Sequence, residues 1–274
     1  MPSLTPGTVR DLLAAHGCRP SRALGQHFLA DPNLARKIAR LAEVHAGEVV
    51  VEIGPGVGSL TLALAKTGAR VIALELDRHL LPILHEVLDG TDVEVVAGDA
   101  LTVDFGALTG GDEWICVSNL PYNVATPIVV RLLEEFPAMT RALVMVQREV
   151  GERLVAEPGT KACGAVSVKV AYYAQARIVG TVPPTVFVPP PKVASALVRL
   201  DRRAAPPVDV PSADALFELV RVGFGQRRKT LRRALEPVLG ERTEAVLAAA
   251  GVDGRRRAES LTLADWAGLC REAA

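Results

Sequence analysis

The sequence predicts an α/β fold: a mainly parallel, doubly wound sheet within residues 1–203, followed by a small helical domain over 204–274. Three observations predict it. From Glu48 onward, short β-branched runs alternate with stretches of helical period, the pattern of βα units and a parallel sheet. The runs are continuously apolar, as strands covered on both faces must be. Residues 204–211, AAPPVDVP, are a linker by composition, and the apolar stretches beyond them have helical period.

Taken in order, 7–16 and 31–44 read as helices, the second opened by Asp31 as N-cap and Pro32 in its first turn. LGQHFL (24–29) between them is irregular. Strand 49–53 ends at glycine and leads to a helix over 59–67. Strand 70–75, helix 77–89 and strand 93–96 follow. A Gly/Asp-rich loop leads to a strand over 114–118, a helix over 125–136 and a strand over 141–146. The pattern then loosens into helices over 148–156 and 164–174 and strands over 178–182 and 195–200. The last two strands are expected to be antiparallel additions to the sheet. Helices over 212–224, 229–238, 241–250 and 262–272 complete the chain.

The 274 residues are 49% hydrophobic and 23% charged, ordinary for a globular chain, and with only 4% aromatics the core must be largely Ala, Val and Leu. The formal net charge is zero. The overall basic excess common in nucleic-acid binders is therefore missing, and only local clusters can argue for RNA. Cys18, Cys116, Cys163 and Cys270 are far apart with no metal-ligand spacing, which predicts reduced thiols and no metal. The first residues lack a basic start and apolar run, and Lys169 and Arg177 interrupt the best apolar window. The expectation is a cytoplasmic protein without a membrane span. Nothing in the sequence demands more than a monomer.

EIGPGVG (52–58) follows the first strand of the doubly wound region and opens a helix, so Gly54 and Gly56 allow a tight turn and a close backbone approach to a ligand. A dinucleotide fingerprint would place glycine where Ser59 stands. A phosphate loop would need a Lys-Ser/Thr pair that the turn lacks. Taken alone, the turn is equally a structural one. Two acids sharpen it: Glu75 ends the next strand, placed to accept from ribose hydroxyls, and Asp99 follows the third, placed to accept from an adenine amine. The combination favours S-adenosyl-L-methionine.

Asn119-Leu120-Pro121-Tyr122 stands at the carboxyl end of the 114–118 strand, where open α/β sheets bind ligands. An adenine amine is a poor nucleophile because its lone pair is delocalised into the ring. Acceptors for both N–H groups, the Asn119 side chain and the Leu120 carbonyl, would draw the nitrogen toward tetrahedral geometry. Pro121 fixes the turn, and Tyr122 offers a face for an unstacked base. Phe187, at the head of FVPPPKV (187–193), would be held by the stiff proline run as a second wall. Downstream, Arg227, Arg228, Lys229, Arg232 and Arg233 put five positive charges in seven residues. Lys229, Arg232 and Arg233 would share one helix face, suited to phosphates or simply to solvent.

These stretches resemble the bacterial rRNA adenine N6,N6-dimethyltransferases. The matching motifs are LGQHFL (24–29), VEIGPGVGSLT (51–61), LELD (74–77), GDAL (98–101), NLPYNVATP (119–127), QREVGERL (147–154), VFVPPPKVASALVRL (186–200) and FGQRRKTLRRAL (224–235). The resemblance runs from about residue 20 to the end. It implies a Rossmann-like S-adenosylmethionine-dependent methyltransferase domain with a small C-terminal helical RNA-binding domain, and an N-terminal segment, 1–46, packed over the cofactor site. It implies that two adjacent adenines in the 3′-terminal hairpin of 16S rRNA, within the immature 30S subunit, are each methylated twice at N6. His27 and Leu29 would touch the cofactor's outer side, Gly54 its amino-acid end, Glu75 its ribose, Asp99 its adenine, and Asn119 both cofactor and target. Gly56 and Ala100 complete that set. Two alternatives stand beside this reading: a 23S rRNA adenine methyltransferase of the macrolide-resistance type, and a factor acting on ribosome assembly mainly by binding. A DNA adenine methyltransferase would usually carry Asp/Asn-Pro-Pro-Tyr/Phe at the base site.

Overall fold

A computed structural model describes residues 4–274, so the first three residues of the expected N-terminal segment lie outside the described residues. The chain runs α1 (Pro6–Ala15), β1 (Phe28–Leu29), α2 (Pro32–Leu41), β2 (Val49–Ile53), α3 (Ser59–Ala65), β3 (Arg70–Glu75), α4 (Leu81–Val87), β4 (Glu94–Ala97), α5 (Phe105–Thr109) and β5 (Trp114–Asn119). It continues with α6 (Ala125–Glu135), β6 (Met139–Gln147), α7 (Arg148–Leu154), α8 (Ala165–Tyr173), β7 (Ala174–Val182), β8 (Phe187–Val188) and β9 (Ser195–Arg202). Four helices close it: α9 (Ala213–Gly225), α10 (Leu231–Leu239), α11 (Thr243–Ala249) and α12 (Leu263–Ala273).

Seven strands form one sheet in the order β4-β3-β2-β5-β6-β9-β7. The pairs from β4 to β6 are parallel, and β9 joins β6 antiparallel, with Gln147 opposite Ser195. β2 is entirely buried, which is why its sequence, VVVEI, shows no alternation. From β2 the chain winds outward through β3 to β4, and from β5 it winds the other way. The switch point therefore lies between β2 and β5, where open sheets bind ligands. These two strands pair only through Val49–Trp114, Val50–Ile115 and Val51–Cys116. Beyond that the backbone ladder gives way, and the Ile53 N–H donates instead to Ser118 Oγ at 2.8 Å. The strands thus part at their carboxyl ends without leaving the amide unpaired.

Further elements pack around the main sheet. A two-stranded antiparallel sheet pairs Phe28 with Val188 and Leu29 with Phe187. These strands are too short for a periodic pattern to show. Asp31 caps α2 as expected, its Oδ1 accepting from the N–H groups of Asn33 (2.8 Å) and Leu34 (3.1 Å). The apolar face of α2 brings Ile38 into one core cluster with Leu60, Leu64, Val50 and Ile115. Val9 and Leu13 of α1 join Ile83 and Leu84 of α4 in another.

By its internal packing the chain divides into two units: one runs up to Gly151 and adds Arg177–Arg202, the other comprises Glu152–Ala176 and Arg203–Ala274. Residues 152–176 thus fall in the second unit, not in the first as a division at 203/204 had them. The physical reason is in their apolar side chains. Val168 and Tyr172 of α8 are buried with Leu216 and Val220 of α9 and Leu231 and Leu235 of α10. Trp266 completes that core, fully buried, against Gly223.

Candidate active site

One cavity lies at the switch point. His27, Leu29, Gly54, Gly56, Glu75, Asp99, Ala100 and Asn119 all line it, and so do Leu120, Pro121 and Tyr122. The sheet explains the convergence: Gly54, Glu75 and Asn119 stand at the carboxyl ends of β2, β3 and β5, and Asp99 just past β4. Gly54 (φ +70°) and Gly56 (φ +61°) both adopt left-handed backbone, and a Cβ at Gly56 would come within 2.7 Å of the Phe28 ring.

Glu75 is buried, its Oε2 accepting from Gly56 N–H at 3.0 Å and its Oε1 from Asp77 N–H at 2.8 Å. Burial raises its carboxyl above the usual glutamate range, and those two backbone donors work against the rise. Asp99 Oδ1 accepts from Leu101 N–H at 2.8 Å, which shapes the loop after β4.

Asn119 carries the sharpest feature. Its Nδ2 donates to the His27 carbonyl at 3.0 Å, fixing which way the amide faces. Its Oδ1 is buried and has no hydrogen-bond partner among the described residues. A buried acceptor left empty costs stability on the order of 1–3 kcal/mol, and the residue that carries this one lines the cavity. Tyr122 stands beside it, half-buried, its hydroxyl 2.5 Å from Ser195 Oγ. Its ring centroid lies 5.3 Å from that of His27.

The segment 21–27 spans the cavity rim. Gln26 donates to Asp77 Oδ2 at 2.8 Å on the β3 side, while Asn123 donates to the Ala23 carbonyl at 2.9 Å on the β5 side. His27 Nδ1–H donates to the Pro189 carbonyl at 2.7 Å.

Phe187 departs from expectation. It does not line the cavity: it is 2% exposed and, paired with Leu29, sits in the apolar core. Burying such a ring is worth about 1.5–3 kcal/mol, and its place on β8 directs it there. The proline-rich segment meets the site through the Pro189 carbonyl instead.

The basic cluster is also sorted by the fold. Arg227 is a tie within the second unit, donating to Glu259 Oε2 at 2.9 Å and to the Lys161 carbonyl at 2.5 Å. Arg232 pairs with Glu244 at 2.5 Å, both exposed. Arg228, Lys229 and Arg233 are exposed and have no ion-pair partner among the described residues. Lys229 does not share a helix face with the others, because α10 begins at Leu231. Its leading amides, of Leu231 and Arg232, are taken by the carbonyls of Arg256 (2.7 Å) and Gly254 (3.0 Å).

Three contributors escaped the sequence reading. Glu52 lines the cavity 1% exposed, its Oε2 without a partner among the described residues, and burial, with the Glu75 charge nearby, pushes its carboxyl up to about 8. Its place inside the glycine motif was the available signal. Arg131 donates to the carbonyls of Ala100 (2.8 Å) and Val103 (2.9 Å), fixing the Asp99 loop from α6. It is the lone cation in ATPIVVRLLEE. Ser118, whose hydroxyl bonds Ile53, precedes Asn119 but carries no pattern of its own.

A sheet wound in these two directions, with a glycine turn at its switch point, has the fold of the Rossmann-like methyltransferases. Solved structures agree. The chain is similar to the crystal structure of the 23S rRNA methyltransferase ErmE (TM-score 0.70, 29% identity, covering 89% of this chain and 98% of that one). It is also similar to that of a dimethyladenosine transferase from Plasmodium falciparum (TM-score 0.73, 25% identity, 89% and 96%). Residues 19–274 match the ribosomal RNA adenine dimethylase family, and the chain belongs to that family. Similar proteins include the Ribosomal RNA small subunit methyltransferase A of Pelotomaculum thermopropionicum (45% identical, 97% of this chain and 95% of that one). The same-named protein of Thermobifida fusca is 47% identical over 96% and 94%. The chain is accordingly an rRNA adenine methyltransferase.

Proposed function

We propose that the chain dimethylates N6 of two adjacent adenines in the 3′-terminal hairpin of 16S rRNA, using S-adenosyl-L-methionine, within the immature 30S subunit. The unfilled Asn119 Oδ1 at the cavity carries this reading. It is an acceptor awaiting an amine N–H, at the sheet position where the sequence places the target base. Relatives called small-subunit methyltransferases, 42–47% identical over nearly the whole chain, support the choice of ribosomal subunit over the 29% likeness to ErmE.

The cavity residues fit the cofactor. Glu75 and Asp99 are acids facing a space that a nucleoside would fill with hydroxyl and amine donors, and the left-handed turn at Gly54 keeps side chains out of it. When bound, S-adenosyl-L-methionine supplies a methyl group on a sulfonium, an electrophile. Glu75 would hold ribose hydroxyls and Asp99 the adenine amine, with His27, Leu29, Gly56 and Ala100 around them. In the first transfer Asn119 Oδ1 accepts one N6–H of the target and the Leu120 carbonyl the other, which pulls the lone pair out of conjugation; in the second, the single remaining N–H has one acceptor. Tyr122 receives the base on its face. No side chain must remove a proton before attack, because the nitrogen sheds it readily once it bears the methyl. Exposed Arg228, Lys229 and Arg233 give phosphate contacts that set affinity rather than sequence choice. Among the described residues no helix is long and apolar enough to cross a membrane, and we place the work in the cytoplasm, by a monomer without metal.

The test is incubation with methyl-labelled S-adenosyl-L-methionine and small subunits from cells lacking the enzyme, followed by mapping of the modified nucleotides. N6,N6-dimethyladenine at two adjacent positions near the 3′ end is expected. Absence of label, or label at other nucleotides of the small subunit, would sink the proposal.

A further inference from the structure

Tyr122 lies on the loop after β5, so its side chain is held by whatever it touches. Two groups hold it. The first is Ser195, whose Oγ is 2.5 Å from the Tyr122 hydroxyl. Ser195 is completely buried, opens β9, and is registered against Gln147 of β6 in the main sheet. The second is the His27 ring, 5.3 Å away and inclined by 33°, itself fixed by its bond to the Pro189 carbonyl. The two restraints are complementary. A tyrosine hydroxyl lies on the axis of the ring, so anchoring it fixes where that axis points but leaves rotation about the axis free. A neighbouring ring limits the rotation.

We propose that Ser195 is a positioning residue for methyl transfer: through the Tyr122 hydroxyl it holds the aromatic platform at the angle at which the target base is received. This rests on the function proposed above. It also gives the segment from Phe187 to Ser195 a role different from the one its sequence suggested. The segment frames the platform from behind, by the Pro189 carbonyl and the Ser195 hydroxyl, instead of presenting a ring to the base. The bond needs a small hydroxyl at a site with no spare volume, which serine supplies. Reactions between positioned groups are sensitive to displacements of about 1 Å, which can cost up to about a hundredfold in rate.

The experiment is a double-mutant cycle on the full chain with immature small subunits as substrate. Ser195→Ala and Tyr122→Phe delete the same bond from its two ends. Each is expected to lower kcat about five- to tenfold, and the double variant no further than either alone. Titration calorimetry with S-adenosyl-L-methionine should give the wild-type Kd for all three, since the bond does not touch the cofactor side. A general loosening of the fold would move that Kd as well. Wild-type kcat in Ser195→Ala, losses that multiply in the double variant, or a cofactor Kd weakened in step with kcat would each overturn the proposal. Should Ser195→Ala fail to fold, Tyr122→Phe decides: an unchanged kcat there overturns it, and the stated loss with an intact Kd upholds it. A wild-type protein inactive on these subunits would overturn the proposed function itself, and this inference with it.

Discussion

Replacing Glu52 with glutamine should stabilise the free protein, and more so as pH rises. The carboxyl is 1% exposed, its Oε2 has no partner among the described residues, and burial, with Glu75 adding repulsion, lifts it from an ordinary 4.5 to about 8. A carboxyl that titrates higher in the folded than in the unfolded chain makes the native state bind the extra proton between those two values. Its contribution to stability is full below about pH 4.5 and is lost as pH rises through 8. At about 1.4 kcal/mol per pH unit, the gap of 8 − 4.5 is worth about 5 kcal/mol in all. The window from pH 5.5 to 8.5 should capture about 3–4 kcal/mol of it. Glutamine carries no charge at any of these values. The difference in unfolding free energy between Glu52→Gln and the parent should therefore grow by that amount across the window. Urea titrations without cofactor would measure it, best in a Trp266→Phe background, where buried Trp114 alone reports on the unit that holds Glu52. Two stability curves that run parallel with pH would refute the reasoning, because Glu52 would then be ionised alike in folded and unfolded chains.

Other perturbations test other parts of the site. Asn119→Ala should cut methyl transfer by about a hundredfold or more, measured as label incorporated into subunits, with a melting temperature within a few degrees of the parent. If the same variant restores subunit assembly in cells lacking the enzyme, binding dominates the biology; if subunits stall, release depends on methylation. Changing Arg228, Lys229 and Arg233 together to Gln should reduce the slope of log affinity against log salt by about two to three for RNA-containing subunits, seen by filter binding at several salt concentrations. Gly56→Ala should abolish cofactor binding by calorimetry, since a Cβ there meets the Phe28 ring at 2.7 Å from a left-handed backbone.

Much of this was legible in the chain because strand ends punctuate a parallel sheet. VVVEI followed by GPG, and LE followed by LD, place Gly54 and Glu75 at successive carboxyl ends, and the strands containing them begin and end where the residues say. What was hidden depended on tertiary neighbours. Phe187 reads as a presented ring until β8 is seen to pair with β1, an element of only two residues. Lys229, Arg232 and Arg233 read as one helix face until the helix is seen to begin at Leu231 and Glu244 claims Arg232, while Glu259 takes Arg227 of the same basic run. The second unit takes α8 because Val168 and Tyr172 find their apolar partners downstream, which no local pattern announces. α5 was missed for its length, although Asp104 caps it from the front and Gly110 (φ +72°) closes it.

The parting of β2 from β5 has a consequence for how the enzyme meets its ligands. The placement of Gly54 against Asn119 is set by two strands that stop pairing at Val51 and Cys116, with the Ser118 hydroxyl tying them through the Ile53 amide. Donor and acceptor halves come from stretches some sixty-five positions apart, joined only when these central strands have met. Their spacing is therefore a property of the sheet's backbone and exists before either reactant arrives. Binding energy need not be spent on separating them, and is left for prying a base out of folded RNA.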